Sequence, residues 1–302
     1  MHTIEITKTG EIIERDLLRR DVAEEYGMFV RDLRPVFSAK QLSTISRRGS
    51  GIIVNLWEIK MVIGKKSLLL FQPTGKHVRD HFIPLLQEKI KTLPPSSRFS
   101  LGILETCLNY SFQLLNTDFE KNRKKVQQIF LKLKKNISDE QFEQLLNTKK
   151  HISKLEITIK EIEEMLEDIM KSDEDMQELY LVQKGKNDIE EIESILEHYW
   201  EQFEDLSHRI DELNENIDDT QEFITLKMAN RRNVIIRFDL FATLFTAVLS
   251  AAAVITGVFG MNLRNGMEES ITAFFVVSLL LILLFVSALA GTYWYLRKKK
   301  VW

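Results

Sequence analysis

The sequence predicts an α+β soluble N-terminal domain with long helices, followed by two C-terminal transmembrane helices. Three observations carry this. Two apolar runs near the C-terminus, 238–259 and 271–296, each reach the roughly 20 residues that a helix needs to cross about 30 Å of hydrocarbon. Residues 98–228 are rich in Glu, Lys and Leu at helical spacing. Residues 1–97 instead set short apolar runs between glycine-bearing turns. We therefore divide the chain into a mixed α/β part (1–97), a helical, coiled-coil-like part (98–228) and a membrane hairpin (229–302). The hairpin comprises a first span at about 237–260, an outer loop at 260–270, a second span at about 271–296 and a basic tail. A helical hairpin buried in a soluble protein passes the same length test, but the second run carries no charge anywhere along it, which argues for lipid.

Within 1–97, residues 3–7 alternate as a strand. Residues 15–26 read as a helix that Gly27 stops. Residues 28–33, 51–56, 58–63 and 67–72 read as strands, the last two joined at Gly64-Lys65 as a hairpin. Residues 74–93 look helical, with Pro84 interrupting. Ser46-Arg-Arg-Gly-Ser-Gly51 lacks the lysine and the spacing of a phosphate loop and reads as a surface turn. Pro94-Pro95 marks the boundary.

The next part predicts helices at 99–135, 138–170 and 173–182, the second opened by Ser138 with Gln141 three residues on, an approximate capping box. Gly185 punctuates. A last helix runs unbroken from Lys186 into the membrane to Gly260, roughly 110 Å at 1.5 Å per residue.

Composition narrows the function. A net charge of −3 argues against nucleic acid as a partner. The single cysteine, Cys107, excludes an internal disulfide and a cysteine-based zinc site and reads as a small buried hydrophobe. No nucleophile–base set, phosphate loop or metal triad suggests an enzyme. His77 and His81 stand four apart without an HExxH pattern and read as surface histidines. The N-terminus has no secretory apolar core and carries acids early, unlike a transit peptide, so targeting is expected to rest on the membrane helices or on a signal of another kind.

Charge sets the topology. Arg231, Arg232 and Arg237 precede the first span, and Arg297 to Lys300 follow the second. The loop has Arg264 against Glu268 and Glu269. Both termini therefore face inward and the loop faces out. Tyr293, Trp294, Tyr295 and Trp302 suit the inner interface belt.

The first span carries a second pattern. Alternating steps of four and three pass through Arg232, Ile236, Asp239, Thr243, Thr246, Ser250, Ala253, Gly257 and Gly260. This 3.5-residue repeat marks one stripe of a helix in a left-handed bundle. Nearly every member is polar or small, whereas Leu240, Phe241, Leu244, Phe245, Val248 and Leu249 beside them are bulky. Small residues can serve close helix packing alone. An acid in lipid costs roughly 2.5 kcal/mol or more at full depth, so Asp239 on this stripe argues for water or an ion nearby. Copies of the first helix around an axis, with the second helix outside, satisfy both constraints.

Gly260-Met261-Asn262 closing the first of two C-terminal membrane helices resembles the signature of the CorA-type magnesium channel superfamily. Val30-Arg31-Asp32-Leu33-Arg34, Ser172-Asp-Glu-Asp-Met-Gln-Glu-Leu-Tyr-Leu181, Ile217-Asp-Asp-Thr220 and Arg232-Asn233 resemble segments of its eukaryotic, mitochondrial-type branch, and Glu268-Glu269-Ser270 resembles its acidic outer loop. The resemblance covers nearly the whole chain. It implies a funnel-shaped homopentamer in a lipid bilayer that passes Mg2+. Gly260, Met261 and Asn262 would form the outer mouth, Ile236 an apolar constriction and Arg232 a cationic inner ring. Some relatives carry an acid three residues before that arginine; Ala229 stands here, and Asp239 is the alternative source of charge. The implied location is the mitochondrial inner membrane, with vacuolar or plasma membranes as alternatives.

Mg2+ is expected both as the transported ion and as a regulator. Hard divalent cations take oxygen ligands, often one or two carboxylates with waters retained. Asp173, Asp175, Asp218 and Asp219 are the candidate regulatory ligands, although acidic helix faces are commonly just solvated. Two rivals stand beside a magnesium channel: the same fold carrying zinc, cobalt or nickel, and a membrane-anchored coiled-coil scaffold. The second leaves the polar stripe and its GMN ending unexplained.

Overall fold

The computed structural model describes residues 2–37, 42–72, 77–93, 99–135, 137–181, 188–261 and 270–298. By its internal contacts the chain forms two units, Met1–Thr220 and Gln221–Trp302.

The first unit opens with a six-stranded antiparallel sheet built from β1 (His2–Thr7), β2 (Ile12–Asp16), β3 (Thr44–Arg48), β4 (Gly51–Leu56), β5 (Ile59–Ile63) and β6 (Ser67–Phe71), in the order β2-β1-β6-β5-β4-β3. Its centre reads as continuous apolar runs rather than as alternation, because both faces are covered. On one face, Ile53, Val62, Leu69 and Phe71 pack with Val22 and Ala23 of helix α1 (Arg19–Glu25), with Leu33, and with Val36 of the short helix α2 (Arg34–Phe37). Ile53 pairs with Val62 and Val62 with Leu69, so these residues share one row across the sheet. On the other face, Met61 meets Cys107 of the long helix Phe99–Lys135, with 3.5 Å between the sulfurs. Cys107 is fully buried, as expected, and burial pushes its thiol far above its ordinary range.

Several sequence expectations need correction here. The helix expected over 15–26 begins only at Arg19, because 12–16 pair with β1 as β2. The strand expected over 28–33 is a single 3-10 turn, Val30–Leu33. Its Asp32 carboxylate accepts the Phe29 N–H at 2.9 Å, a local bond that competes with strand pairing. The turn expected at 46–51 is shorter. Ser46 to Arg48 complete β3, and the chain reverses at Gly49 and Ser50. Gly49 has φ +56°, and a Cβ there would lie 2.4 Å from the Tyr26 carbonyl oxygen, so the position requires glycine. Before Pro84 the chain takes a π-turn, Val78–Phe82, and α3 (Ile83–Thr92) follows with the proline in its first turn. A proline there has no N–H to donate to the preceding turn, and the wider turn absorbs the mismatch. Pro94, Pro95 and Gly185 lie outside the described residues.

The helical region follows expectation closely. After α4 (Phe99–Lys135) come α5 (Asp139–Met170), α6 (Asp173–Glu178) and α7 (Asp188–Phe259), of which α6 ends four residues before the expected 182. Ser138 caps α5, its hydroxyl accepting the Gln141 N–H. Helix α5 buries Leu145, Thr148, Ile152, Leu155, Ile159, Ile162, Leu166 and Ile169. Helix α7 buries Ile192, Leu196, Tyr199, Phe203, Leu206, Ile210, Leu213 and Ile217. Both sets step by three and four, the spacing of a coiled-coil seam. Ion pairs flank the seam and run antiparallel. Lys149 of α5 pairs with Asp218 of α7, and Lys160 bridges Glu156 at 2.8 Å and Asp211 at 3.2 Å.

Candidate permeation face

The second unit contains the membrane part of α7 and helix α8 (Ile271–Lys298), both long and apolar enough to span a bilayer. Phe245 of α7 meets Phe285 of α8 edge-on, ring centroids 6.0 Å apart. Leu244, Val248, Ala252 and Ile255 of α7 are half-buried. At about 100° per residue they lie on the same side of the helix as Phe245. The stripe residues Arg232, Ile236, Asp239, Thr243, Thr246, Ser250, Ala253 and Gly257 are all exposed. Their mean direction falls about 180° from the α8-facing side. The hairpin therefore sets Leu244 and Val248 of its bulky side toward its own second helix and leaves the polar face open.

Local chemistry on that face is acceptor-rich. Thr246 donates its hydroxyl proton to the Ala242 carbonyl at 2.8 Å. A hydroxyl that has spent its proton on the backbone offers lone pairs outward, as a cation's water shell requires. At Gly257 a Cβ would meet nothing within 4 Å, so packing inside the chain does not demand glycine there. The helix closes with Gly260 N–H bonding to Thr256 at 2.9 Å and Met261 N–H to Val258 at 3.3 Å. Asn262, Glu268 and Glu269 lie outside the described residues.

The expected regulatory acids do not converge within the chain. Asp173 and Asp175 are exposed in the first turn of α6, where the Ser172 hydroxyl accepts the Asp175 N–H at 3.2 Å. Arg47 of β3 holds the end of that helix by donating to the Tyr180 carbonyl at 3.2 Å. Asp175 also lines a cleft of about 320 Å³ with Arg47, Glu161, Glu164 and Asp168. Asp218 is engaged by Lys149, and Asp219 is exposed. Lys149 and the α6 end of α5 are separated by about 30 Å of helix. Among the described residues no group of three or more His, Cys, Asp or Glu is arranged to hold a metal.

Two features escaped the sequence reading. Glu163 of α5 comes close to Glu204 of α7, a like-charged rung beside the Lys–Asp pairs; burial, then Glu204, raises the Glu163 carboxyl above its ordinary value. Arg209 of α7 pairs with Glu120 of α4 and lies over the Phe119 ring at 5.0 Å. The available signal was the recurrence of acids every seventh residue at 190, 197, 204, 211 and 218, which puts them beside the seam rather than on a free face.

The family described as "Magnesium transporter MRS2-like" matches residues 3–232. The Mitochondrial inner membrane magnesium transporter MRS2 of Yarrowia lipolytica is 27% identical over 285 residues, covering 87% of this chain and 68% of the relative. Magnesium transporter MRS2-11, chloroplastic, of Arabidopsis thaliana is 24% identical, covering 99% of this chain and 71% of the relative. The chain thus spans about two thirds of the length of these relatives. The complete CorA magnesium transporter of Methanocaldococcus jannaschii superposes with a TM-score of 0.64 at 15% identity, covering 96% of each chain. Full-length CmaX superposes with a TM-score of 0.59 at 13% identity, covering 100% of this chain and 98% of the other. At such identities these two establish likeness of fold alone.

Proposed function

Since the chain belongs to the MRS2-like magnesium transporter family, we propose that it carries Mg2+ passively across the mitochondrial inner membrane through a pore lined by α7. The observation that carries this is the polar stripe turned away from α8. A one-sided polar helix in lipid needs protein or water against that side, and copies of itself around an axis supply both. The magnesium transporters named above, mitochondrial in Yarrowia, support the ion and the organelle. The fold shared with the complete CorA magnesium transporter over 96% of each chain supports the architecture. We take the assembly to be a homopentamer.

Mg2+ gives up its water reluctantly, so a pore that recognises the hydrated ion avoids that cost. In this reading Glu268 and Glu269 gather cations at the mouth. Asn262, with Gly260 and Met261, hydrogen-bonds the water shell. Thr243, Thr246 and Ser250 continue an acceptor-rich wall inward. Asp239 then holds the ion on the outer side of the Ile236 constriction, and Arg232 opposes it beyond. Inner Mg2+ acts as the regulator by stabilising the closed assembly. Asp173 and Asp175, or Asp218 and Asp219, would serve it only with ligands from a neighbouring copy, since among the described residues neither pair has a third acid placed to join it.

The test is Mg2+ uptake into liposomes containing the purified chain or its Asn262→Ala variant. Uptake that depends on the chain and is lost in the variant is the expected outcome. Equal uptake by both removes Asn262 from the mechanism.

A further inference from the structure

The soluble unit carries a pair of imidazoles that the transport reading does not use. His77 immediately precedes the π-turn Val78–Phe82, His81 lies within it, and both are exposed. Their ring centroids are 6.0 Å apart and their planes differ by 26°. The turn that presents them is braced from below. Val78 and Phe82 are buried, the Phe82 ring packs 4.7 Å from Tyr110 of α4, and the Tyr110 hydroxyl donates to the His77 carbonyl at 2.9 Å. Arg79, between them in sequence, bonds instead to His2 at 3.0 Å.

We propose that His77 and His81 form a surface site for a borderline transition-metal ion of the Zn2+, Ni2+ or Co2+ class, separate from the Mg2+ path. Two imidazoles sharing one tetrahedral ion at Zn–N of about 2.0–2.1 Å have ring centres about 5 Å apart. The observed 6.0 Å is close to that. Rotation about χ2, a soft torsion for histidine, is enough to aim both nitrogens at one point from exposed rings. The i, i+4 placement on one face of a helical turn is the arrangement by which helices present paired histidines to zinc. Imidazole nitrogen selects zinc, copper, nickel and cobalt, whereas Mg2+ takes oxygen ligands. Among the described residues no third His, Cys, Asp or Glu joins the pair, so water completes the shell and the ion remains exchangeable.

The site bears on ion discrimination. The ions it takes are those that would compete with Mg2+ for a divalent pore, yet it lies in the soluble unit, outside the membrane helices. It needs no pore and no particular oligomer, so its failure and the failure of the transport reading are distinguishable.

The experiment uses the full chain without a histidine tag, purified in detergent. Equilibrium binding of Zn2+ and Ni2+ is measured in a large excess of Mg2+, for wild type and for His77→Ala, His81→Ala and His198→Ala. The expected result is that both His77→Ala and His81→Ala lose one bound ion per chain relative to wild type, while His198→Ala loses none. The three variants should share one circular-dichroism spectrum, which separates loss of a ligand from loss of the fold. Unchanged binding in both His77→Ala and His81→Ala overturns the proposal, as does displacement of that ion by Mg2+.

Discussion

Phe245 and Phe285 meet edge-on, 6.0 Å between ring centroids, and this contact fixes which way the first membrane helix faces. With Phe245 turned to α8, Thr246 and Ser250 are left on the open side.

Cysteine accessibility reads this directly. Cys107 is the only native cysteine and is fully buried, so introduced thiols report alone. In a reconstituted membrane, Thr246→Cys and Ser250→Cys should react with a water-soluble maleimide, and Leu244→Cys and Val248→Cys should not. The reverse pattern would move the water path to another face.

Asp239 is the one acid on the membrane part of the stripe. Asp239→Asn removes the charge and keeps the shape. If a ring of this residue concentrates cations, initial Mg2+ uptake at low external concentration should fall by about tenfold. Equal uptake by variant and wild type would mean that the charge faces away from the ion.

Glu163 predicts a pH dependence. Its folded-state carboxyl titrates above the ordinary 4.5, because burial and Glu204 penalise the charged form. The folded chain therefore holds this proton more tightly than the unfolded chain does. The resulting stabilisation is present in acid and is lost as pH rises from the ordinary value through the raised one. At neutral pH the rung is a net cost. Glu163→Gln should raise the melting temperature at pH 7, with an advantage that shrinks as the medium is acidified. Glu163→Lys, which would extend the Lys–Asp series, should raise it further, by the equivalent of about 1 kcal/mol or less for a half-exposed pair. Melting curves of the variants at several pH values test both.

Arg209 ties α7 to α4 through Glu120, Asn116 at 3.5 Å and the Phe119 ring. Arg209→Met should destabilise the chain by about 1–2 kcal/mol, more than a lone surface pair, because three contacts fail together. Combined with Glu120→Gln the loss should be less than additive, with a coupling of about 1 kcal/mol, measurable in a double-mutant cycle.

The sequence made the helical half of the fold legible and the sheet only in part. Helices α4, α5 and α7 emerged with bounds close to those expected, because long periodic segments carry many repeats of one signal. Strand β2 was hidden because Ile12 to Asp16 carry four charged or exposed positions on an edge, where burial does not enforce alternation. The segment around Arg31 and Asp32 looked extended from its apolar residues, and a side-chain bond to the backbone decided otherwise. The polar stripe was legible because lipid leaves a helix few ways to place Asp239, Thr243 and Thr246. Which residues of α8 meet the first span was not, since the second span has no polar pattern of its own; the contact of Phe285 with Phe245 identifies one of them.

Because the membrane part of α7 is a single helix, its polar stripe and its α8-facing side keep one fixed angular phase. Inserting one residue between Thr246 and Ser250 would turn everything beyond it by about 100°, swinging Ser250 off the bearing of Thr246, whereas a seven-residue insertion would return it to within about 20°. The spacing between Thr246 and Ser250 is thus a timing mark as much as a length, and lengthening this span by any count out of step with its repeat should silence the protein.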